Sequence, residues 1–266
     1  MMQYEHLLDQ LITLATHAGN EILKLYHPNT QLNLATKADL SPQIEADRLS
    51  HDIIVNQLKN LSLDIPILSE ESDHQENLSR LTWGTYWLID PLDGTKEFIN
   101  RTGQFTVNIA LIENHIPILG IVYAPLEGIC YFAGNKVGAF KKIATEKETM
   151  ITSRQNNSEP VVVTSHHEEN PLLTTLCSKL GQHSLVRMGS SIKICLIAEG
   201  KADLYPRLFP TYEWDTAAAH CILLAAHGEL YNFVDKTPLR YNKKKSLLNP
   251  HFIAINQTNR HWLDLF

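Results

Sequence analysis

The sequence predicts an α/β protein in two parts: helices on a mostly antiparallel sheet in the N-terminal part, then a smaller C-terminal part in which strands and helices alternate. Three observations carry this reading. Helical apolar stripes open the chain, short extended segments joined by Asn, Gly and Pro turns follow, and beyond a polar stretch at Lys141 to Pro160 the pattern alternates in the α/β manner. That polar stretch is the expected boundary, giving units at 1–150 and 151–266. A chain of 266 residues fits one large or two ordinary domains at roughly 150 residues each.

From Tyr4 to Tyr26, Leu7, Leu8, Leu11, Ile12, Ala15, Ile22 and Leu25 fall at helical spacing, and the helix is expected to stop near His27-Pro28. A second helix begins at Ser41-Pro42, where Ser can cap and Pro fits the first turn. It runs to about Asn60 and places Asp47 on its first turns. Ile65 to Ser69, Tyr86 to Ile89, Phe105 to Ile112, Ile116 to Tyr123 and Ile129 to Phe132 read as strands. In the C-terminal part, Val161 to Thr164 and Ala202 to Tyr205 read as strands. Pro171 to Leu180, Ser191 to Glu199 and Asp215 to Ala226 read as helices, the last two closed by Gly200 and His227-Gly228.

Hydrophobic residues are 44% and charged residues 20%, ordinary for a folded chain, so disorder is excluded. Lys plus Arg number 23 against 29 Asp plus Glu, and the net charge of −6 argues against a broad nucleic-acid surface. The opening residues lack the basic-then-apolar pattern of a secretory leader, and no run reaches the ~20 apolar residues of a membrane span. Cys130, Cys177, Cys195 and Cys221 show neither a C-x-x-C pair nor zinc-like spacing. Free thiols, a cytoplasmic place and no integral membrane segment are therefore expected. The 13 histidines form no H-E-x-x-H, and Lys243 to Lys245 reads as a solvated turn.

Several acids stand at strand ends and helix starts. Glu70-Glu71 follows the apolar run Ile65 to Leu68, Asp90 ends Tyr86-Trp-Leu-Ile89, and Asp93 follows Pro91-Leu92. Pro91 fixes a backbone angle and removes a donor, so the carboxylates of Asp90 and Asp93 and the Leu92 carbonyl can surround one point. Hard oxygen donors of this kind suit Mg²⁺. An ordinary Asp-Pro-x-Asp-Gly turn is the competing reading. Gly94-Thr95 then supplies a flexible backbone and a hydroxyl where a helix could start, and Asp215, which taken alone reads first as a plain N-cap, opens an alanine-rich helix.

Asp47, Glu70-Glu71, Asp90-Pro-Leu-Asp-Gly-Thr95 and Trp214-Asp-Thr-Ala-Ala218, in order along the chain, resemble the lithium-sensitive, Mg²⁺-dependent phosphomonoesterases of the inositol monophosphatase superfamily. Further stretches resemble its bacterial 3′(2′),5′-bisphosphate nucleotidase branch. They include Lys37 to Pro42, Trp87 to Phe98, Phe105 to Leu111, Pro117 to Pro125, Gly189-Ser-Ser-Ile-Lys193 and Ala198 to Arg207. The resemblance implies a layered αβαβα sandwich and two or three Mg²⁺ ions. Glu70, Asp90 and the Leu92 carbonyl would hold one ion, and Asp90, Asp93 and Asp215 another. It also implies that Gly94 and Thr95 meet the scissile phosphate and that Asp47 with Thr95 orients the attacking water, Glu70 assisting. The family's T-x-A-D carries Thr where this chain has Ile44, which puts the rate or the water geometry in question.

The resemblance further matches Ser190, Lys193 and Arg207 to nucleotide-binding positions, with His166 or His167 as a further contact whose register stays open. From the residues alone, Lys193 reads equally as a surface Lys on a capped helix. The implied reaction is hydrolysis of the 3′-phosphate of 3′-phosphoadenosine 5′-phosphate to AMP, and of 3′-phosphoadenylyl sulfate alongside it. An inositol or broad sugar phosphatase and a non-enzymatic nucleotide- or macromolecule-binding protein remain the alternatives. The expected partner is a small nucleotide bisphosphate, not nucleic acid. Monomer or homodimer is left open, as is peripheral contact with the cytoplasmic face of the inner membrane.

Overall fold

A computed structural model describes residues 2–26, 42–61, 64–72, 78–155, 159–166, 170–257 and 262–265. Two helices, α1 (Met2–Tyr26) and α2 (Pro42–Asn60), precede β1 (Ile67–Ser69), β2 (Thr85–Asp93) and the short α3 (Thr95–Ile99). The chain then meanders through β3 (Thr106–Glu113), β4 (Ile116–Ala124), β5 (Ile129–Gly134), β6 (Gly138–Ile143) and β7 (Thr149–Ile151). These form one sheet in the order β1-β2-β3-β4-β5-β6-β7, antiparallel except for the parallel β1-β2 pair. The helix stop at His27-Pro28 and the Ser41 cap lie outside the described residues.

The remaining elements are β8 (Val161–Thr164), α4 (Pro171–Leu180), β9 (Ser184–Arg187), α5 (Ile192–Ala198), β10 (Leu204–Arg207), α6 (Trp214–Ala225), β11 (Glu229–Asn232) and β12 (Phe252–Ile255). The second sheet runs β11-β12-β10-β8-β9 and is mixed, since β12 is antiparallel to both its neighbours. The polar stretch 141–160 contains the end of β6 and all of β7, which extend the first sheet. Lys141 and Lys142 mask that strand to a reader of composition, yet Lys141 is accommodated within the fold, its ammonium on Glu199 at 2.6 Å and over the Tyr131 ring.

Layering follows from which face each residue takes. One face of the first sheet, with Trp87, Ile89, Val107 and Ile109, packs on α1 and α2 through Leu8, Leu11, Ile22, Ile54 and Leu58. The opposite face, with Tyr86, Leu88, Ala110 and Val122, packs on α5 and α6, whose other sides meet Tyr205, Leu230, Phe252 and Ala254 of the second sheet. Beyond that sheet, Val162, Leu204 and Ile253 pack on Leu173, Leu176 and Leu180 of α4. The result is the αβαβα sandwich. Buried on both sides, α6 is apolar round most of its surface, as a central helix must be, with Asp215, Thr216 and His220 as its polar exceptions.

β4 and α6 approach closely at Gly120, where a Cβ would stand 2.3 Å from the Ala218 carbonyl oxygen and 2.7 Å from Cys221 Cβ. Backbone cannot yield as a flexible side chain can, so Gly120→Ala should cost about 1–3 kcal/mol. A melting temperature equal to wild type would show that α6 can slide on β4.

Candidate active site

A bulge builds the centre of the site. Asp90 pairs with Asn108 and Asp93 with Thr106, so three steps on β2 match two on β3. In a regular strand, residues three apart face opposite sides; the extra residue at Pro91-Leu92 returns Asp93 to the face of Asp90. Pro91 suits this place because a bulge leaves a donor unpaired and Pro has none. The segment is therefore the bulged end of a strand and not a free turn. Ser50 on α2 donates to the Pro91 carbonyl at 2.8 Å, and Asp90 Oδ1 accepts from Leu92 N at 3.1 Å, which pins the bulge from both sides.

Parallel pairing delivers the next acid. Ser69 pairs with Ile89, and Glu70 N donates to the Ile89 carbonyl at 3.1 Å, so Glu70 emerges beside Asp90 and their carboxyls hydrogen-bond. His51, one turn beyond Asp47 on α2, pairs with Ser69 Oγ at 2.8 Å and aligns that helix with the end of β1. Asp215 is not an N-cap: Glu213 holds that place, and Asp215 Oδ2 accepts from Tyr212 N at 2.9 Å in the first turn of α6. Asp93 Oδ2 accepts from Ser191 N at 2.6 Å and from Asn108 Nδ2 at 3.4 Å.

Burial governs the charge state of these acids. Asp90 is 1% exposed, and burial together with Asp93, Glu70, Asp215 and Asp47 raises its carboxyl well above the usual range. Asp215 is raised well above its ordinary value by burial, then by Asp93 and Glu70, and Asp93 is raised by burial against the pull of Lys193. Glu70 is pushed up to about 7, chiefly by burial, and Asp47 to about 8 by burial and by Glu71 and Glu70. Asp47 Oδ1 is buried without a hydrogen-bond partner among the described residues.

A cavity of about 500 Å³ opens on this cluster. Asp93, Gly94, Thr95, Ser190, Lys193, Arg207 and Asp215 line it, so seven of the eleven residues singled out in the sequence share one wall. Asp47, Glu70, Asp90 and Leu92 are not in the lining; Leu92 is buried within the bulge and the three acids reach the cluster electrostatically. Lys193 is 6% exposed, which rules out the surface reading, and its ammonium donates to the Ser190 carbonyl at 2.6 Å. Arg207 donates to Ser165 Oγ at 2.7 Å and interacts with Asp215. His166 joins the lining; His167 lies outside the described residues. Ile44, in place of the family Thr, is 43% exposed.

Sequence reasoning missed Thr106, Asn108 and Ser191, whose side chains tie β3 to the start of α5: Ser191 Oγ meets Thr106 Oγ1 at 2.9 Å and donates to Asn108 Oδ1 at 2.8 Å. Their signal was present, since two polar residues at strand period inside an apolar run mark one face as different.

A model of the inositol monophosphatase family matches residues 3–263. The chain belongs to this family. A 3′(2′),5′-bisphosphate nucleotidase CysQ of Escherichia coli strain K12 is 42% identical over 246 residues, covering 92% of this chain and 98% of the relative. The CysQ of Haemophilus influenzae is 35% identical over 98% of this chain and 97% of its own. Among solved structures, CysQ from Bacteroides thetaiotaomicron aligns with a TM-score of 0.82 at 41% identity, over 92% of this chain and 94% of that one. Inositol monophosphatase from Anabaena, at 20% identity and a TM-score of 0.73, shares the fold.

Members of the inositol monophosphatase family are generally metal-dependent phosphatases, and the donor set here fits a hard cation. Glu70, Asp90, Asp93 and Asp215 offer carboxylate oxygen and no sulfur, and each raises another's proton affinity, a strain that a cation relieves. Among the described residues no three acidic, His or Cys side chains yet close on one point. Backbone amides hold them instead: Leu92 N at Asp90, Ser191 N at Asp93 and Tyr212 N at Asp215. Asp90→Asn keeps the oxygen that accepts from Leu92 N and removes the buried charge. A group whose folded pKa is raised destabilises the native state increasingly as pH climbs past its unfolded value. With chelator at pH 8, the variant is therefore expected to melt higher than wild type, by about 2–4 °C per kcal/mol relieved. A lower melting temperature would show that Asp90 carries no such cost.

Proposed function

We propose that this protein is a metal-dependent 3′(2′),5′-bisphosphate nucleotidase that removes the 3′-phosphate of 3′-phosphoadenosine 5′-phosphate, giving AMP, and acts on 3′-phosphoadenylyl sulfate in the same way. The observation that carries the reading is one cavity wall uniting Asp93, Gly94, Thr95 and Asp215 with Ser190, Lys193, Arg207 and the aromatic rings of Tyr205, Phe209 and Phe252. Its volume of about 500 Å³ suits a nucleotide. The identity with CysQ nucleotidases, spread over nine-tenths of the chain, supports the substrate class.

In this reading Glu70, Asp90, the Leu92 carbonyl, Asp93 and Asp215 hold Mg²⁺, two or three ions in all. Bound there, Mg²⁺ would neutralise the phosphate, acidify a water and stabilise the leaving oxygen. The chain's own groups do the rest. Asp47 and Thr95 orient the attacking water; a cation held beside Glu70 would offset the carboxyls that raise Asp47 and so leave its carboxylate free to take the proton. Gly94, at φ +92°, keeps the start of α3 free of a Cβ that would crowd Gln104 and Ser190, leaving room for the phosphate. Arg207 receives the second phosphate with its planar fork, and Ser190 and Lys193 complete its setting. Phe209, whose ring is exposed on the wall, accepts the base. No helix among the described residues is long and apolar enough to cross a membrane, and all four cysteines are free.

Phosphate release from 3′-phosphoadenosine 5′-phosphate should exceed that from inositol 1-phosphate and stop on chelation. Equal turnover would favour a broad phosphatase, and no Mg²⁺-dependent release from any substrate would leave a binding protein. Asp47→Asn should abolish turnover while the circular dichroism spectrum and the Mg²⁺-induced rise in melting temperature persist; full activity would remove Asp47 from the mechanism. Arg207→Ala should raise KM for the bisphosphate about tenfold or more, roughly 1.4 kcal/mol, and change that for inositol 1-phosphate little. An equal loss on both substrates would reject its role at the second phosphate.

A further inference from the structure

Gln104 stands behind the cavity wall, between Gly103 and the buried Phe105. Its side-chain oxygen meets two groups from the other half of the chain: Gly189 N at 2.7 Å and His166 Nε2 at 2.6 Å. The first contact settles the chemistry of the second. A backbone N–H can only donate, so the Gln104 atom it meets is the carbonyl oxygen and not the amide nitrogen. A carbonyl oxygen can only accept, so His166 Nε2 must carry its proton.

Packing fixes this acceptor in place. A Cβ on Gly189 would stand 2.5 Å from Glu97 Cγ, 2.7 Å from the Gln104 carbonyl oxygen and 2.9 Å from Gln104 Cβ, so the two loops are in close contact. The His166 backbone is held as well, since Arg187 donates to the His166 carbonyl at 3.1 Å and to the Ser165 carbonyl at 3.2 Å. His166 lines the cavity beside Ser165 and Arg207, whereas Gln104 does not.

We propose that Gln104 is a positioning residue that locks His166 in its Nε2–H form and so makes Nδ1 the ring nitrogen through which His166 meets a nucleotide ligand. In the neutral ring Nδ1 accepts from a ligand hydroxyl; in the cation it donates to a phosphate. The atom of contact is the same in both. Gln104 thus carries information from the seam between the two sheets to the substrate wall without touching substrate. The ligand side of this inference rests on the nucleotidase reading; the tautomer does not.

Two readouts separate these parts. In 15N-labelled wild type at alkaline pH, His166 should show a protonated Nε2 and an unprotonated Nδ1. Gln104→Leu should mix the two tautomers, and Gln104→Glu, which keeps an acceptor oxygen, should preserve Nε2–H. On 3′-phosphoadenosine 5′-phosphate, Gln104→Leu should raise KM about tenfold with a smaller change in kcat, and the double variant with His166→Ala should be no worse than His166→Ala alone, as coupling through one residue requires. A protonated Nδ1 with bare Nε2 in wild type, an unchanged tautomer in Gln104→Leu, or additive effects in the double variant would each overturn the proposal. Should Gln104→Leu fail to fold, the wild-type spectrum and Gln104→Glu decide it. Wild type that does not hydrolyse the nucleotide but shows the Nε2–H signature would sink the nucleotidase reading and leave the tautomer lock standing.

Discussion

The single extra residue in β2 is the constraint on which the site depends. With a regular strand, Asp93 would point with Trp87 and Ile89 into the apolar α1/α2 layer. The bulge sends it instead to the face that packs on α5 and α6, where Ser191 N, Asn108 and Lys193 meet it. Sheet geometry thereby decides which layer holds the chemistry. The parallel pairing of β1 adds Glu70, the first turn of α6 adds Asp215, and α2 approaches from behind with Asp47 while Ser50 and His51 fasten it.

Much of this was legible in the residues and some was not. The long helices, the central strands and the acids at their ends follow from periodicity and from the Asp-Pro-Leu-Asp-Gly run. The bulge was not visible, because Asp, Pro and Gly suit a turn as well as a bulge and only the pairing partner decides. Lys193 was ambiguous for a related reason: a seven-residue helix capped by serines looks like a surface element until two sheets close over it. Strands such as β7 and β11 are short, and in β6 the two lysines hide the period; their pairing comes from neighbours rather than from their own composition.

The same chain shows what a buried acid looks like when it is structural. Asp203 is fully buried, yet Arg154 grips both its oxygens, Val161 N donates to it at 2.7 Å and Asn256 Nδ2 at 2.6 Å. Its charge is answered by one guanidinium and its lone pairs by fixed donors. It ties the second sheet to the segment after β7 and asks nothing of a ligand.

Asp90 is as deeply buried and is answered differently. It accepts from one backbone amide, shares a hydrogen bond with Glu70, and faces three further acids. Among the described residues Lys193 stands by Asp93 and Arg207 by Asp215, two cations against the carboxyls of Asp47, Glu70, Asp90, Asp93 and Asp215. A fold that needed these acids only for stability would have supplied an arginine, as it does at Asp203, or replaced them by apolar groups of like size. Among the described residues a local excess of acidic groups remains, which a bound cation would balance. The net charge of −6 is thus in part a stored demand for cations, and once it is met the field at the cavity wall changes sign toward one that a bisphosphate can enter.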